Sequence, residues 1–259
     1  MSESIIRIAK YIGISVKRGD EYKNRYYEKP WKITTGVNSL DDLLGGGIYP
    51  YQTYEFFGAA GSGKTQLALQ LAITSQFKSY EERECINKVI YIDTEKSFST
   101  ERLIKIASRF GCDSYRILRN IFYAYTFEPD KLLSLITHAR KIITDVRLII
   151  IDNIAIPLQN LPNRNPRTIS RYIQKLMFEI TKIMDKKDLS VVITNRIYAV
   201  TNNVIREVHQ PYGGITLSSF MHKEIILMKE RNSVIRAVDI NEIKPAAYFR
   251  VSDKGLVDL

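Results

Sequence analysis

Gly58-Ala59-Ala60-Gly61-Ser62-Gly63-Lys64-Thr65 decides how the rest of the chain is read. The eight residues fit GxxxxGK[ST] without a mismatch. In that pattern the glycines let backbone N–H groups wrap a β-phosphate, and the helix that follows adds a favourable dipole. The pattern carries meaning only between a strand and a helix. Gln52 to Phe57 reads as a strand, and Lys64 to Ser79 has helical spacing, so the context is met. Lys64 is expected to reach the β- and γ-phosphates, and the Thr65 hydroxyl to ligate Mg²⁺. Gln66 completes the nucleotide-binding set with Gly58 to Thr65. The expected ligands are a nucleoside triphosphate and Mg²⁺.

Working outward, apolar runs of strand length alternate with helical patterns. Strands are expected at Lys88 to Asp93, Ile121 to Tyr125, Leu148 to Asp152 and Leu189 to Thr194. Helices are expected near Thr100 to Phe110, Asp130 to Thr144 and Thr168 to Asp185. Such alternation means βαβ units and a mostly parallel sheet with helices on both faces. After Lys223 the pattern changes to short successive strands, Glu224 to Met228, Val234 to Ile240 and Ala247 to Val251, expected to form an antiparallel C-terminal edge. One α/β domain from Thr35 to Leu259 accounts for this pattern. Residues 1–34 are expected to be an extension packed on it, with a short amphipathic helix over Ser4 to Ile12.

Two carboxylates fall where phosphate chemistry needs them. Leu148-Ile149-Ile150-Ile151-Asp152 is an apolar strand that ends in Asp, which puts a Mg²⁺-holding carboxylate at the sheet edge beside the Gly-rich loop. Tyr91-Ile92-Asp93-Thr94-Glu95 ends the strand after the loop's helix, and Glu95 there can polarise the water that attacks a γ-phosphate.

The stations now in place resemble the RecA/RadA recombinase superfamily. Thr35-Gly36-Val37-Asn38-Ser39-Leu40-Asp41-Asp42-Leu43-Leu44-Gly45-Gly46-Gly47-Ile48 resembles the family's segment before the P-loop. Thr94 to Leu103 resembles the segment after its second strand, and Thr194-Asn195-Arg196 and Pro211-Tyr212-Gly213-Gly214 resemble further stations in the same order. The resemblance implies a RecA-like P-loop NTPase core, with Glu95 as the catalytic glutamate and Arg102 stacked on adenine. It departs from the family in three places. No N-terminal helical DNA-binding domain is expected. No Phe-x-x-Ala docking peptide is found in the N-terminal region, so an oligomer, if formed, is expected to pair otherwise. Arg196 stands where the family has a γ-phosphate-sensing Gln, which places Arg196 among the catalytic candidates. The chain therefore resembles an archaeal RadA paralogue of the RadC-like group.

By the same resemblance two loops are candidates for single-stranded DNA. The first, Ile154 to Thr168, offers Arg164 and Arg167, with Arg171 just beyond; the second, Arg196 to Leu217, offers Tyr198, Arg206 and Tyr212. Guanidinium groups suit phosphates and tyrosines suit bases. Both loops read as long, polar and mobile without a ligand. The extension, with Lys10, Lys17, Arg18, Lys23, Arg25, Lys29 and Lys32 among Tyr11, Tyr22, Tyr26, Tyr27 and Trp31, is a third candidate surface.

Composition fits these readings. The 259 residues carry 38 Lys and Arg against 28 Asp and Glu, a net charge of +10, which suits a nucleic-acid partner. Cys85 and Cys112 form no CxxC pair, so a zinc site is not expected, while a single bridge between them stays open. His138, His209 and His222 are scattered. No apolar run is long enough for a signal sequence or a membrane span, so a cytoplasmic setting is expected. The leading expectation is an ATPase that binds single-stranded DNA and assists or restrains the RadA recombinase, with RadA or other repair proteins as partners. Two other readings stay open. One is a signalling ATPase or autokinase of the KaiC kind, against which Thr94-Glu95 stands where paired glutamates are typical. The other is an ATP-switched binding module with vestigial hydrolysis.

Overall fold

A computed structural model describes residues 31–78, 84–142, 144–200 and 208–259. The expected helix at Ser4 to Ile12, the extension up to residue 30 and Arg206 lie outside the described residues. Lys32–Leu259 form one compact unit.

Seven of the strands follow the expected positions to within about two residues. They are β1 (Thr53–Gly58), β2 (Lys88–Asp93), β3 (Ile121–Tyr125), β4 (Val146–Asp152), β7 (Lys223–Lys229), β8 (Val234–Asp239) and β9 (Ala247–Ser252). β5 (Ser190–Val200) runs well past its expected end at Thr194, because its outer half pairs antiparallel with β6 (Val208–Pro211). β10 (Gly255–Asp258) closes the chain. The order across the sheet is β10-β9-β8-β7-β1-β5-β4-β2-β3. The pairs from β7 through β3 are parallel, and β7 to β10 are antiparallel. This is the mostly parallel sheet with an antiparallel C-terminal edge that the hydrophobic pattern predicts.

The helices cover both faces. α1 (Asn38–Leu44) precedes β1, and α2 (Lys64–Thr74) follows it. α3 (Thr100–Arg109) and α4 (Ser114–Arg119) lie between β2 and β3, and α5 (Pro129–Ile142) between β3 and β4. α6 (Ala155–Gln159) and α7 (Pro166–Met184) follow β4, and α8 (Gly214–Ser218) follows β6. β4 and β5 are buried on both sides, which is why they read as near-continuous apolar runs. Ile149, Ile151, Val191 and Ile193 share a core with Tyr172, Ile173, Leu176, Met177 and Ile180 on the inner stripe of α7. By strand alternation Leu148, Ile150 and Val192, all fully buried, turn to the opposite face, where α2 packs on the same strands. α7 begins where its chemistry dictates: the Asn165 side chain accepts from Thr168 N at 2.8 Å, and Pro166 occupies the first turn.

The loop after Asp152 differs from the expectation of a polar, mobile segment. Ile154, Ala155, Leu158 and Leu161 are buried, so its first half is α6 packed into the core; Asn160 and residues 162–167 are exposed. The second loop is likewise ordered at both ends by the β5–β6 hairpin and α8.

The segment Ile33 to Asp41 anchors the start of the domain. Ile33 bridges Ile48, and the buried Asp41 carboxylate accepts from Thr34 Oγ1 (2.5 Å), Thr35 N (2.7 Å) and Thr35 Oγ1 (2.7 Å). Asp41→Ala strands the buried Thr35 N–H and the Thr34 hydroxyl, while the Thr35 hydroxyl keeps Val37 O at 3.1 Å, so a stability loss of about 2–3 kcal/mol is expected, read as a lower midpoint in urea unfolding. An unchanged midpoint would mean that water satisfies these donors equally well.

Candidate nucleotide site and nucleic-acid surface

The Gly58–Thr65 loop joins the C-terminal end of β1 to the N-terminus of α2, at the centre of the sheet. Gly63 caps α2 with φ 90°, a left-handed conformation that glycine adopts at little cost. A side chain at Gly58 would collide with the Leu227 carbonyl of β7, so β1 and β7 pass too close there for any other residue. Lys64 is 8% exposed, and its Nζ donates to Gly58 O (2.9 Å), Ala59 O (2.7 Å) and Ser62 Oγ (3.3 Å). Burial lowers its pKa to about 8, opposed by the nearby charges of Asp152 and Glu95. An anionic ligand in the loop would favour the charged form further.

β4 carries Asp152 to the same edge, where it is 2% exposed. Its Oδ1 accepts from Thr194 Oγ1 and its Oδ2 from Tyr91 Oη at 2.8 Å; the Thr65 hydroxyl also reaches it. Burial raises the carboxyl's pKa, and those three hydroxyl donors pull it back. An oriented carboxylate beside a threonine hydroxyl is an oxygen set that fits Mg²⁺. Among the described residues no group of three or more His, Cys, Asp or Glu gathers into a metal cage.

Asp93 builds the turn that presents Glu95. Its Oδ1 accepts from Glu95 N and its Oδ2 from Phe98 N, both at 2.9 Å. The ends of β2 and β4 are tied by Thr94 N to Asp152 O (2.8 Å) and Thr94 Oγ1 to Asn153 O (2.7 Å). Glu95 Oε1 then accepts from Asn153 Nδ2 and pairs with Arg196 Nη2 at 2.6 Å. Arg196 arrives on β5, the strand between β1 and β4.

These groups line one cleft of about 360 Å³: Ala60, Gly61, Gly63, Lys64, Thr65, Gln66, Glu95, Asp152 and Arg196 among them. Arg102 stands beside it on α3. Its Nε donates to Gln66 Oε1 (2.7 Å) and its Nη2 to Ser252 O (2.6 Å), fixing the guanidinium plane between α2 and the end of β9. Gly58, Ala59 and Ser62, in the same loop, are not among the residues that line the cleft. Sequence reasoning missed Asn153, Lys229, Ser233, Ile235 and Val251, which also line the cleft. Lys229, Ile235 and Val251 come from the C-terminal strands and Ser233 from the turn between β7 and β8, all of which reach the site because β7 pairs with β1.

The candidate nucleic-acid residues divide into two neighbouring groups. Arg164, Arg167 and Arg171 are exposed at and before the start of α7. Arg167 and Arg171 border one shallow depression with Ser170 and Gln174. Tyr198 and Tyr212 face each other across the β5–β6 hairpin, ring centroids 5.0 Å apart, and Tyr212 also packs on the core. Ser170 Oγ and Thr216 Oγ1, 2.8 Å apart, tie α7, which carries Arg167 and Arg171, to α8, which follows the β5–β6 hairpin. Tyr212 N donates to Arg196 O at 3.2 Å, which links the hairpin's root to the nucleotide cleft.

With this geometry in place, a comparison with protein families adds one finding: the family profile described as Rad51 matches residues 28–259, most of the chain. The match agrees with a RecA-like core for the mixed sheet described above.

Proposed function

The chain belongs to the Rad51 family, and from that premise we propose that it is a RadA paralogue, a Mg²⁺-dependent ATPase that binds single-stranded DNA as an accessory factor in recombination. One observation carries this reading: Lys64, Thr65, Asp152, Glu95 and Arg196, read separately from sequence, converge on a single cleft whose Arg196 is bonded directly to the candidate DNA hairpin.

The roles follow from the contacts. Backbone N–H groups of the Gly58–Thr65 loop and the Lys64 ammonium bind the phosphates. Mg²⁺, held by Thr65 and Asp152, supplies neutralisation of phosphate charge. Gln66 and Arg102 border the nucleoside end of the cleft. Glu95 takes the proton of the attacking water. In the structure Glu95 is engaged by Arg196 (2.6 Å) and Asn153. A γ-phosphate, with more charge than one carboxylate, competes for the Arg196 guanidinium and thereby frees Glu95. Arg164, Arg167, Arg171, Tyr198, Arg206 and Tyr212 bind the DNA strand, and RadA is the natural partner of such a factor, assisted or restrained.

The test is ATP hydrolysis with and without single-stranded DNA at two salt concentrations, with Lys64→Ala as blank. DNA is expected to raise the wild-type rate, and the gain to fade as salt rises. A rate indifferent to DNA, together with no DNA binding at low salt, would sink the recombination reading and point to a protein partner.

A further inference from the structure

We infer that Glu55 and Glu224 share a single proton and, through Asn195, act as positioning residues that hold Arg196 at the nucleotide cleft and Tyr212 at the root of the β5–β6 hairpin. The inference rests on the reading of Arg196 given above.

Glu55 lies in the middle of β1 and is 0% exposed; Glu224 lies in β7 and is 2% exposed. The two are register partners across the parallel β1–β7 ladder, so their side chains leave the same face of the sheet. Two ionised carboxylates cannot stand together in such a place. The surrounding donors distinguish the two carboxyl groups. Glu224 Oε2 accepts from Ser218 Oγ (2.8 Å) and Asn241 Nδ2 (2.9 Å), a polar setting that suits a carboxylate. Glu55 Oε1 accepts from Asn195 Nδ2 at 2.6 Å, but its buried Oε2 receives no donor from the described residues. An oxygen in that position is satisfied when it carries the proton and donates it to Glu224. Burial and the Glu224 charge raise Glu55 to a pKa of about 8, in agreement.

The charged groups on the flanking strands are committed elsewhere. Arg196 on β5 pairs with Glu95, and Lys223 on β7 pairs with Asp239 (3.0 Å) and Glu242 (2.7 Å). His222, before β7, contacts Thr53 through Nδ1, and burial lowers its pKa. α8, which supplies Ser218, has no charged residue. Nothing among these neutralises a second negative charge at Glu55.

Asn195 turns this pair into a positioning device. It is fully buried, and each of its polar atoms is engaged. Nδ2 donates to Glu55 Oε1 and to Tyr212 O (2.7 Å), while Oδ1 accepts from Arg196 N (2.8 Å). One amide thus fixes the backbone of the cleft's arginine and that of the hairpin's tyrosine. Loss of the shared proton sets two carboxylates against each other beneath that amide.

The experiment compares the wild-type chain with Glu55→Gln, which keeps the acceptor for Asn195 and supplies a permanent donor toward Glu224. The first readout is the thermal midpoint from pH 5 to 9.5, which needs no activity. Between the ordinary carboxylate pKa and about 8 the folded chain keeps a proton that the unfolded chain releases, so this group's contribution falls as pH rises through that window. The wild-type midpoint is therefore expected to drop across the window, and Glu55→Gln to lose that part of the drop. Parallel profiles would overturn the shared proton. The second readout is ATP turnover over the same range. Relative to Glu55→Gln, wild-type kcat is expected to fall about tenfold above pH 8 with nucleotide affinity unchanged, because a displaced backbone misplaces Arg196 while the Gly-rich loop is intact. Superimposable turnover profiles would overturn the positioning role. Should the wild type hydrolyse no ATP at any pH, the ATPase reading fails by itself, and the midpoint profiles still decide the pair. Should Glu55→Gln not fold, Glu224→Gln is the second variant, expected to flatten the same midpoint profile by donating its amide to Glu55.

Discussion

Glu95→Gln is expected to lower ATP turnover by about two to four orders of magnitude while leaving nucleotide affinity within about twofold of wild type. The split follows from how the site is assembled. The contacts expected to bind phosphate come from the Gly58–Thr65 loop and Lys64, whose geometry is set by β1 and α2. Glu95 enters from β2, on a turn fixed by Asp93, and contributes no strand or helix contact that shapes the loop. Glutamine keeps the size of the side chain and one oxygen able to accept from Asn153 Nδ2 and Arg196, so the cleft should not rearrange. What it lacks is a lone pair basic enough to take a proton from water. Single-turnover hydrolysis beside binding of a fluorescent ATP analogue measures both quantities. Retention of full hydrolysis would remove Glu95 from the mechanism and leave its bond to Arg196 as a structural pairing. A large loss of affinity would instead mean that Glu95 shapes the cleft, against the separation drawn here.

Much of this architecture is legible before any coordinates exist, and the reasons differ from element to element. β2 ends where the sequence pattern says because Val89 to Ile92 are apolar and buried and the flanking residues are not, whereas β3, an edge strand with Phe122, Tyr123 and Tyr125 exposed, is legible from its run of strand-favouring aromatic residues. α6 stays hidden: five residues with Pro157 inside give no helical period, and only the burial of Ile154, Leu158 and Leu161 reveals that the segment belongs to the core. α1, with seven residues, is also short, and Val37 before it offers no side-chain cap. In the site, the residues with contiguous chemical spacing, Gly58 to Thr65, announce themselves, and Asp152 and Glu95 follow from strand ends at one sheet edge. Lys229, Ser233 and Val251 could not be found this way. Their approach depends on β7 lying beside β1, and a period-two pattern records which face a residue takes but not which strand is its neighbour. Glu55 is the opposite case. A carboxylate in the middle of an apolar strand is a visible anomaly in the sequence, yet its meaning depends on the partner that sheet order supplies.

Arg196→Ala is expected to reduce turnover by about two to three orders of magnitude and to abolish any response to DNA. The guanidinium pairs with Glu95 Oε1 at 2.6 Å, and its backbone is bonded to Tyr212 N and to Asn195 Oδ1. It therefore sits on both halves of the proposed machine: its head where the γ-phosphate charge develops, its main chain at the root of the hairpin. Alanine removes the head and leaves the main-chain bonds, so the hairpin should keep its structure and DNA should still bind. Only the signal from DNA to hydrolysis is lost. Arg196→Lys separates charge from shape, because a lysine can supply the positive charge but not the planar fork that engages a carboxylate or phosphate in two directions. A partial rate without DNA response is expected of it. The decisive comparison is the double variant with Glu95→Gln. Two groups bonded to each other and acting in one step should show strong non-additivity, with the double variant about as slow as Glu95→Gln alone. If the two losses multiply instead, Arg196 and Glu95 act independently, and the exchange of Glu95 for γ-phosphate at Arg196 is not part of the reaction.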